Sequence, residues 1–441
     1  MKKLLLLSFF AMGITSQAQY WETKATGFST ASTGVNEVSF ADANNVWISG
    51  YDGSGGGAQF RVYSRSSDAG NTWTSGQISL GSTDLGIGSI CAISATTAWV
   101  AAFPNTATVQ GGIWKTVNGG TTWTKQPTAS FNTGIESFTN LVHFWDENNG
   151  FCAGDPASGY MEMYTTVNGG TNWTRVPSAN LPIPLEGEYG YTRLYETFGD
   201  RVWVCTNKGR LYRNDNKGVG QWIAFQTPNT DFGGDLGAAI TFQDANNGLM
   251  ISRAHEQYRT TNGGETWTQE FPDGAIRSGD VTYVPGSANV LVNIGEDSLD
   301  LVRGSSKSTD DGLTWEDLGQ PIDAVSTVEF FDATHGFASG FTQSTTAGGI
   351  YKWIGTLATV DFNSAKSITA SPNPTSGALR IAGKNINAVN VYDVLGKQVL
   401  AKKFSTLNEV ELDLSALKSG VYMVNVANNA GATSTVKVVK Q

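Results

Sequence analysis

Along most of the chain, apolar and polar positions alternate in short runs separated by turn residues. VSFADANNVWISG (38–50), VHFWDENNGFCAG (142–154), ITFQDANNGLMIS (240–252) and VEFFDATHGFASG (328–340) share one plan. Two runs rich in Val, Ile, Phe and Trp flank an Asp-x-Asn-Asn-like turn, which predicts a hairpin of short strands. A third run follows and ends in an eight-residue box. The box reads SSDAGNTW at 66–73, TVNGGTTW at 116–123, TVNGGTNW at 166–173, TTNGGETW at 260–267 and STDDGLTW at 308–315. A fourth run starts at the box Trp, as in WTSGQISL and WTKQPTAS. Trp73, Trp123, Trp173, Trp267 and Trp315 mark a period near 48 residues with one member missing. Trp222, after the degenerate NDNKGVGQ, fills the gap, and Trp21 extends the series backwards. Four short strands per period predict an all-β, seven-bladed propeller.

The two ends of the repeat explain its closure. The last period, 326–354, holds three runs and no box, while Tyr20-Trp21-Glu22-Thr23 reads as a fourth strand without its first three. Together they are expected to complete one blade and leave no open sheet edge. Within each box, Asp68, Asn118, Asn168, Asn262 and Asp310 are placed to accept backbone N–H groups of the turn. Gly70, Gly120, Gly170, Gly264 and Gly312 allow positive φ, and Trp73, Trp123, Trp173, Trp267 and Trp315 pack the turn against its blade. Too few carboxylates occur per turn for calcium loops, so the boxes are expected to be structural.

Composition agrees with strands and tight turns. Of 441 residues, 52 are Gly and 13 Trp, and only 15% are charged, which excludes a helical bundle. Met1-Lys2-Lys3, the apolar run from Leu4 to Ile14 and Ser16-Gln17-Ala18 form a secretory signal, residues 1–18. No later stretch is apolar enough to span a bilayer. Cys91, Cys152 and Cys205 sit in apolar runs and read as buried hydrophobes. His143, His255 and His335 lack metal-ligand spacing, so neither a metal nor a cofactor is expected. The net charge is −10. Lys2 and Lys3 belong to the signal, and residues 367–441 carry eight Lys/Arg against four Asp/Glu, which leaves −16 on the residues between. That balance disfavours nucleic acid and anionic membrane surfaces.

The boxes resemble BNR or Asp-box repeats of sialidases, sortilin-type receptors and photosystem II stability-factor-like propellers. Gly154-Asp155-Pro156, Met163-Tyr164-Thr165-Thr166 and Leu185-Glu186-Gly187-Glu188 are most similar to the stability-factor-like group. From about 367 the period stops. Alternation there, with Val410, Leu412 and Leu414 on one face and Tyr422, Val424 and Val426 on another, predicts a small immunoglobulin-like β-sandwich. The segment resembles the type A sorting domain of type IX secretion in Bacteroidota through Pro372-Asn373-Pro374, Val391-Tyr392-Asp393, Gly396, Leu414-Ser415, Leu417, Gly420-Val421-Tyr422, Lys437 and Lys440. The resemblance implies handling by that machinery and delivery to the outside or the cell surface. The expected domains are a propeller at 19–358, a linker at 359–366 and a sorting domain at 367–441.

Candidate chemistry falls in the loop before the fourth blade, SANLPIPLEGEYGYTR (178–193). Glu186, Glu188, Tyr189, Tyr191 and Arg193, with Asp155 and Glu136 able to approach, suit a glycan or protein ligand at a channel mouth. No catalytic residue can be assigned. The alternative is an extracellular glycoside hydrolase using those carboxylates. A sialidase is disfavoured: Phe60-Arg61-Val62-Tyr63 lacks the family's Pro, and no Arg triad accompanies Tyr195-Glu196. The two-propeller xyloglucanases need a second propeller, and a photosynthetic assembly role fits poorly with the sorting tail. The favoured reading is a monomeric, exported binding propeller.

Overall fold

The computed structural model describes residues 19–357 and 369–441, apart from 133–135, 234–236, 288, 298–301, 321, 325, 356, 394–396 and 429–432. The expected signal (1–18) and linker (359–366) lie outside the described residues. Two compact units divide at 357/358. The first is a ring of seven antiparallel four-stranded blades. Blades 1 to 6 span 33–77, 85–125, 139–175, 190–226, 238–270 and 280–317. Asp273–Gly274 adds a short parallel strand beside Thr314–Asp317 of blade 6. Blade 7 combines Val328–Phe330, Gly336–Ser344 and Ala347–Trp353 with the N-terminal strand Trp21–Ala25. Trp21 lies opposite Trp353 and is fully buried, in edge contact with that ring at 4.9 Å. The ring therefore closes by pairing its two ends.

The boxes form the outer turns of the lower face, where each inner strand ends. In the first box Asp68 accepts from the Thr72 N–H at 2.8 Å and from the Thr72 hydroxyl at 2.7 Å. Ser66 accepts from the Gly70 N–H at 2.8 Å. Asp310 with Thr314 and Ser308 repeats the arrangement, and Asn118 and Asn262 substitute an amide for the second carboxylate oxygen. The box glycine does more than permit its positive φ. A Cβ on Gly120, at φ +85°, would stand 2.1 Å from the Tyr63 ring of blade 1, and one on Gly70 2.2 Å from Phe337 of blade 7. The box Trp also packs backwards. Trp123 meets Trp47 and Tyr63 of the preceding blade, Trp73 meets Phe337, and Trp315 donates to Gln257 of blade 5. Each box is a wedge against the blade before it, not only against its own.

Around the channel, neighbouring inner strands diverge too far to pair, so side chains bridge them and satisfy backbone donors. Glu37 accepts from the Ile90 N–H at 2.6 Å, Ser39 from Ala92 at 2.9 Å, Thr241 from Tyr283 at 3.0 Å and Asp280 from Val328 at 2.9 Å. The Cys91 sulfur takes the Phe144 N–H at 3.2 Å. All three cysteines are buried free thiols.

The second unit is one five-stranded sheet folded over itself into a small sandwich. Its strands are Thr369–Ser371, Ala378–Asp393, Gln398–Asp413, Gly420–Asn428 and Thr433–Lys440. The long second strand pairs with the first, third and fourth, with register breaks between Ala382 and Ala388 where it bends. Ile381, Val389, Val391, Leu414 and Val424 fill the interior. Asn373, between the two prolines, donates to the Lys437 carbonyl and accepts from the Val439 N–H, so the motif clamps the last strand. Lys437 is exposed, whereas Lys440 is buried.

Candidate functional site

The upper face, where inner strands begin, carries the loop between blades 3 and 4. It makes a helical turn at Ser178–Asn180 and then runs to Gly190. Glu188 is 4% exposed, and its carboxylate is surrounded. Oε2 receives Arg210 at 2.8 Å, the Leu185 N–H at 2.8 Å and the Tyr212 hydroxyl at 3.1 Å, and Oε1 receives Thr206 at 2.7 Å. Glu188 thus anchors the loop and offers no oxygen to a ligand, which corrects its expected contact role. Asp155 is also an anchor. It accepts from Asn140 at 2.7 Å and from the Gly190 N–H at 3.0 Å, and burial raises its carboxyl to about 6 despite those bonds. Glu186 stands exposed, whereas Glu188 and Asp155 are held by internal partners. Glu136 is exposed beside the 133–135 segment.

With the loop pinned from inside, its apolar groups face water. Ile183 is 72% exposed, Leu185 49% and Tyr189 42%. Tyr189 meets Tyr191 edge-on at 5.5 Å, and the Tyr191 hydroxyl donates to Asp231 at 2.7 Å. Arg193 follows in the left-handed region, φ +53°, where the pairing of blade 4 breaks between Gly190 and Tyr195. That bulge turns its guanidinium into the channel, where it donates to the Ser326 carbonyl at the start of blade 7, at 2.8 Å.

Below this bar lies a cavity of about 480 Å³ lined by all seven inner strands. Glu37, Glu196, Asp280 and Glu329 reach it. Each touches the lumen yet lies deep in the ring, and loss of water dominates its ionisation. Burial lifts Glu37 to about 7 against the pull of the Ile90 N–H and Arg193. Burial and repulsion from Asp280 lift Glu196 to about 8. Asp280 is raised by burial, and Glu329 is raised well above the usual range by burial and by Glu196, Asp280 and Glu37. His143, whose Nδ1 lies 3.3 Å from the Tyr195 hydroxyl, is driven down to about 4 by burial. The sequence reasoning passed over Glu37, Asp280 and Glu329. Their signal was an acid inside the first apolar run of a period, as in VNEVSF, GDVTYV and TVEFF. Among the described residues, no group of three or more His, Cys, Asp or Glu is placed to hold a metal ion, and no helix is long and apolar enough to cross a membrane.

Comparison with known proteins separates the two units. No protein of curated function matches the chain by sequence. The structure titled YCF48 bound to D1 peptide is similar with a TM-score of 0.52 at 15% identity, covering 77% of this chain and 98% of that one. YCF48 from Cyanidioschyzon merolae gives 0.51 at 17% identity, covering 76% and 99%. The Niastella koreensis GH74 enzyme gives 0.44 at 13% identity, covering 92% and 66%. The two YCF48 likenesses show the propeller fold. Residues 370–441 match the secretion system C-terminal sorting domain family, which directs export by type IX secretion to the cell surface or beyond. The chain is a seven-bladed β-propeller carrying a type IX secretion C-terminal sorting domain.

Proposed function

We propose that the protein is an exported binding propeller that holds a glycan or protein ligand at its upper mouth, on the loop before blade 4. The observation that carries this reading is the inversion of that loop. Its carboxylate Glu188 is buried and ion-paired, while Ile183, Leu185 and Tyr189 face water. A solvated loop arranges itself the other way round; apolar groups held outward on a fixed backbone form contact surface. Tyr189 and Tyr191 add aromatic faces suited to sugar rings or apolar side chains, Glu186 supplies a polar contact beside them, and Arg193 offers one from the channel. A propeller of the same fold, YCF48, is described with a D1 peptide bound, so the architecture is compatible with a peptide ligand.

The hydrolase reading needs two carboxyl groups about 5–9.5 Å apart with access to one bond. Glu188 lacks that access, which speaks against the Glu186–Glu188 pair. A panel of polysaccharides and peptides titrated against the protein is expected to give saturable binding without release of reducing sugar. Tyr189→Ala should weaken binding about tenfold, as expected for an interface anchor worth ~1.4 kcal/mol. Reducing-sugar release abolished by Glu186→Gln would overturn the proposal.

A further inference from the structure

We propose that the central channel is itself a ligand site, one that takes the uncharged, hydroxyl-rich end of a molecule, such as the terminal sugar of a glycan. The inference rests on the upper-mouth reading and narrows its ligand class. The cavity of about 480 Å³ lies within the ~300–1,000 Å³ usual for small-molecule sites. Two polar groups in it have capacity left over. Glu37 and Asp280 use their carboxylates on the next blade's backbone, but Glu329 has no hydrogen-bond partner among the described residues. Arg193 makes one bond, to the Ser326 carbonyl, and its other N–H groups find no protein acceptor among the described residues. The wall also offers flat apolar surface from Phe40 and Phe331, 5.8 Å apart.

Charge selects the ligand. Glu329 faces Glu37 from blade 1, Glu196 from blade 4 and Asp280 from blade 6, and Arg193 acts on Glu37 and Asp280. Cys91, His143, Tyr195 and the exposed Arg253 are the other titratable or charged groups lining the cavity, and burial keeps the first three uncharged at neutral pH. Burial pushes all four carboxyl groups towards their uncharged forms, Glu37 up to about 7 and Glu196 up to about 8, so the lumen carries less negative charge than four ordinary acids would give it. Carboxylic acids and a guanidinium with spare donors match hydroxyl groups, which both donate and accept. A cation would meet Arg193, and an anion paired with Arg193 would lie among four carboxyl groups that any ionisation makes repulsive.

Saturation-transfer NMR of the full chain with methyl glucoside, methyl galactoside and N-acetylglucosamine tests this, with methylammonium and acetate as charged probes. At least one neutral sugar is expected to bind at pH 6. Glu329→Leu and Arg193→Ala should each lose about tenfold in affinity, the scale of one charged-group hydrogen bond. Glu329→Gln, which keeps a donor and an acceptor, should stay within about threefold by the same arithmetic. Melting temperatures identify any variant that fails to fold, and Glu329→Gln then decides. Binding should also fall as pH rises past 8 in the wild type. No bound sugar, stronger binding of either charged probe, or unchanged affinity in folded Glu329→Leu and Arg193→Ala would overturn the inference. Failure of the mouth reading is separate: Tyr189→Ala would then leave binding of the polysaccharide or peptide ligand intact.

Discussion

The lower and upper faces of the propeller solve the same problem with different visibility. Both must hold a turn by satisfying its backbone donors from inside. On the lower face Asp68 does so for Thr72, and the device recurs at Asn118, Asn168, Asn262 and Asp310. On the upper face Glu188 does so once, with Arg210, Thr206 and the Leu185 N–H. Repetition identifies the first set as architecture. An unrepeated acid among tyrosines imitates a ligand group, although it is the interior support that frees its neighbours to face outward.

Gly120→Val should give the largest effect, because it combines a positive-φ position with the Tyr63 ring of the preceding blade. A loss of about 2–4 kcal/mol in chemical unfolding is expected from left-handed strain and overpacking together. A near-neutral result would mean that blades separate more easily than the wedge geometry implies. Glu188→Ala should cost about 1.5–3 kcal/mol by leaving Arg210, Thr206 and Tyr212 unpaired. Hydrogen exchange should then rise over 178–190; unchanged exchange would separate Glu188 from loop support. Asp68→Ala should cost about 1 kcal/mol, while Asp68→Asn should be close to neutral because Asn serves in three other boxes.

The channel between the faces gives a test by pH. Glu37 and Glu196 bind protons more tightly folded, at about 7 and about 8, than in an unfolded chain near 4.5. Their contribution to stability is present at low pH and declines as pH rises from about 4.5 through 8. His143 acts oppositely, adding stability as pH rises from about 4 to 6.5. Glu196→Gln should flatten the decline between pH 6 and 8 in thermal unfolding, and an unaltered slope would refute its titration there. Tyr189→Ala should move stability least, within about 0.5 kcal/mol, because its ring is 42% exposed.

What was legible in the chain follows the same divide. The period and the box bonds could be read because they depend on local spacing, and the union of Trp21 with the last blade because that period lacks its fourth strand. The backward packing of Trp123 onto Trp47 and Tyr63 could not, since it joins residues 60 and more positions apart. At the loop before blade 4 the pattern of residues does not tell that Glu188 and Asp155 turn inward while Tyr189 stays exposed. Side-chain direction there depends on Arg210 and Asn140, which no local pattern connects to the loop. The channel acids escaped notice because an acid in a short apolar run looks like an ordinary outward-facing position. Only ring closure turns that face inward.

Hydrogen exchange of the full chain, free and saturated with its tightest-binding oligosaccharide or peptide from the panel, compares the two faces directly. Protection is expected over 183–194 on the upper mouth, with the box turns at 117–121 and 167–171 unchanged. Protection confined to the box turns would place the ligand on the lower face and contradict the account.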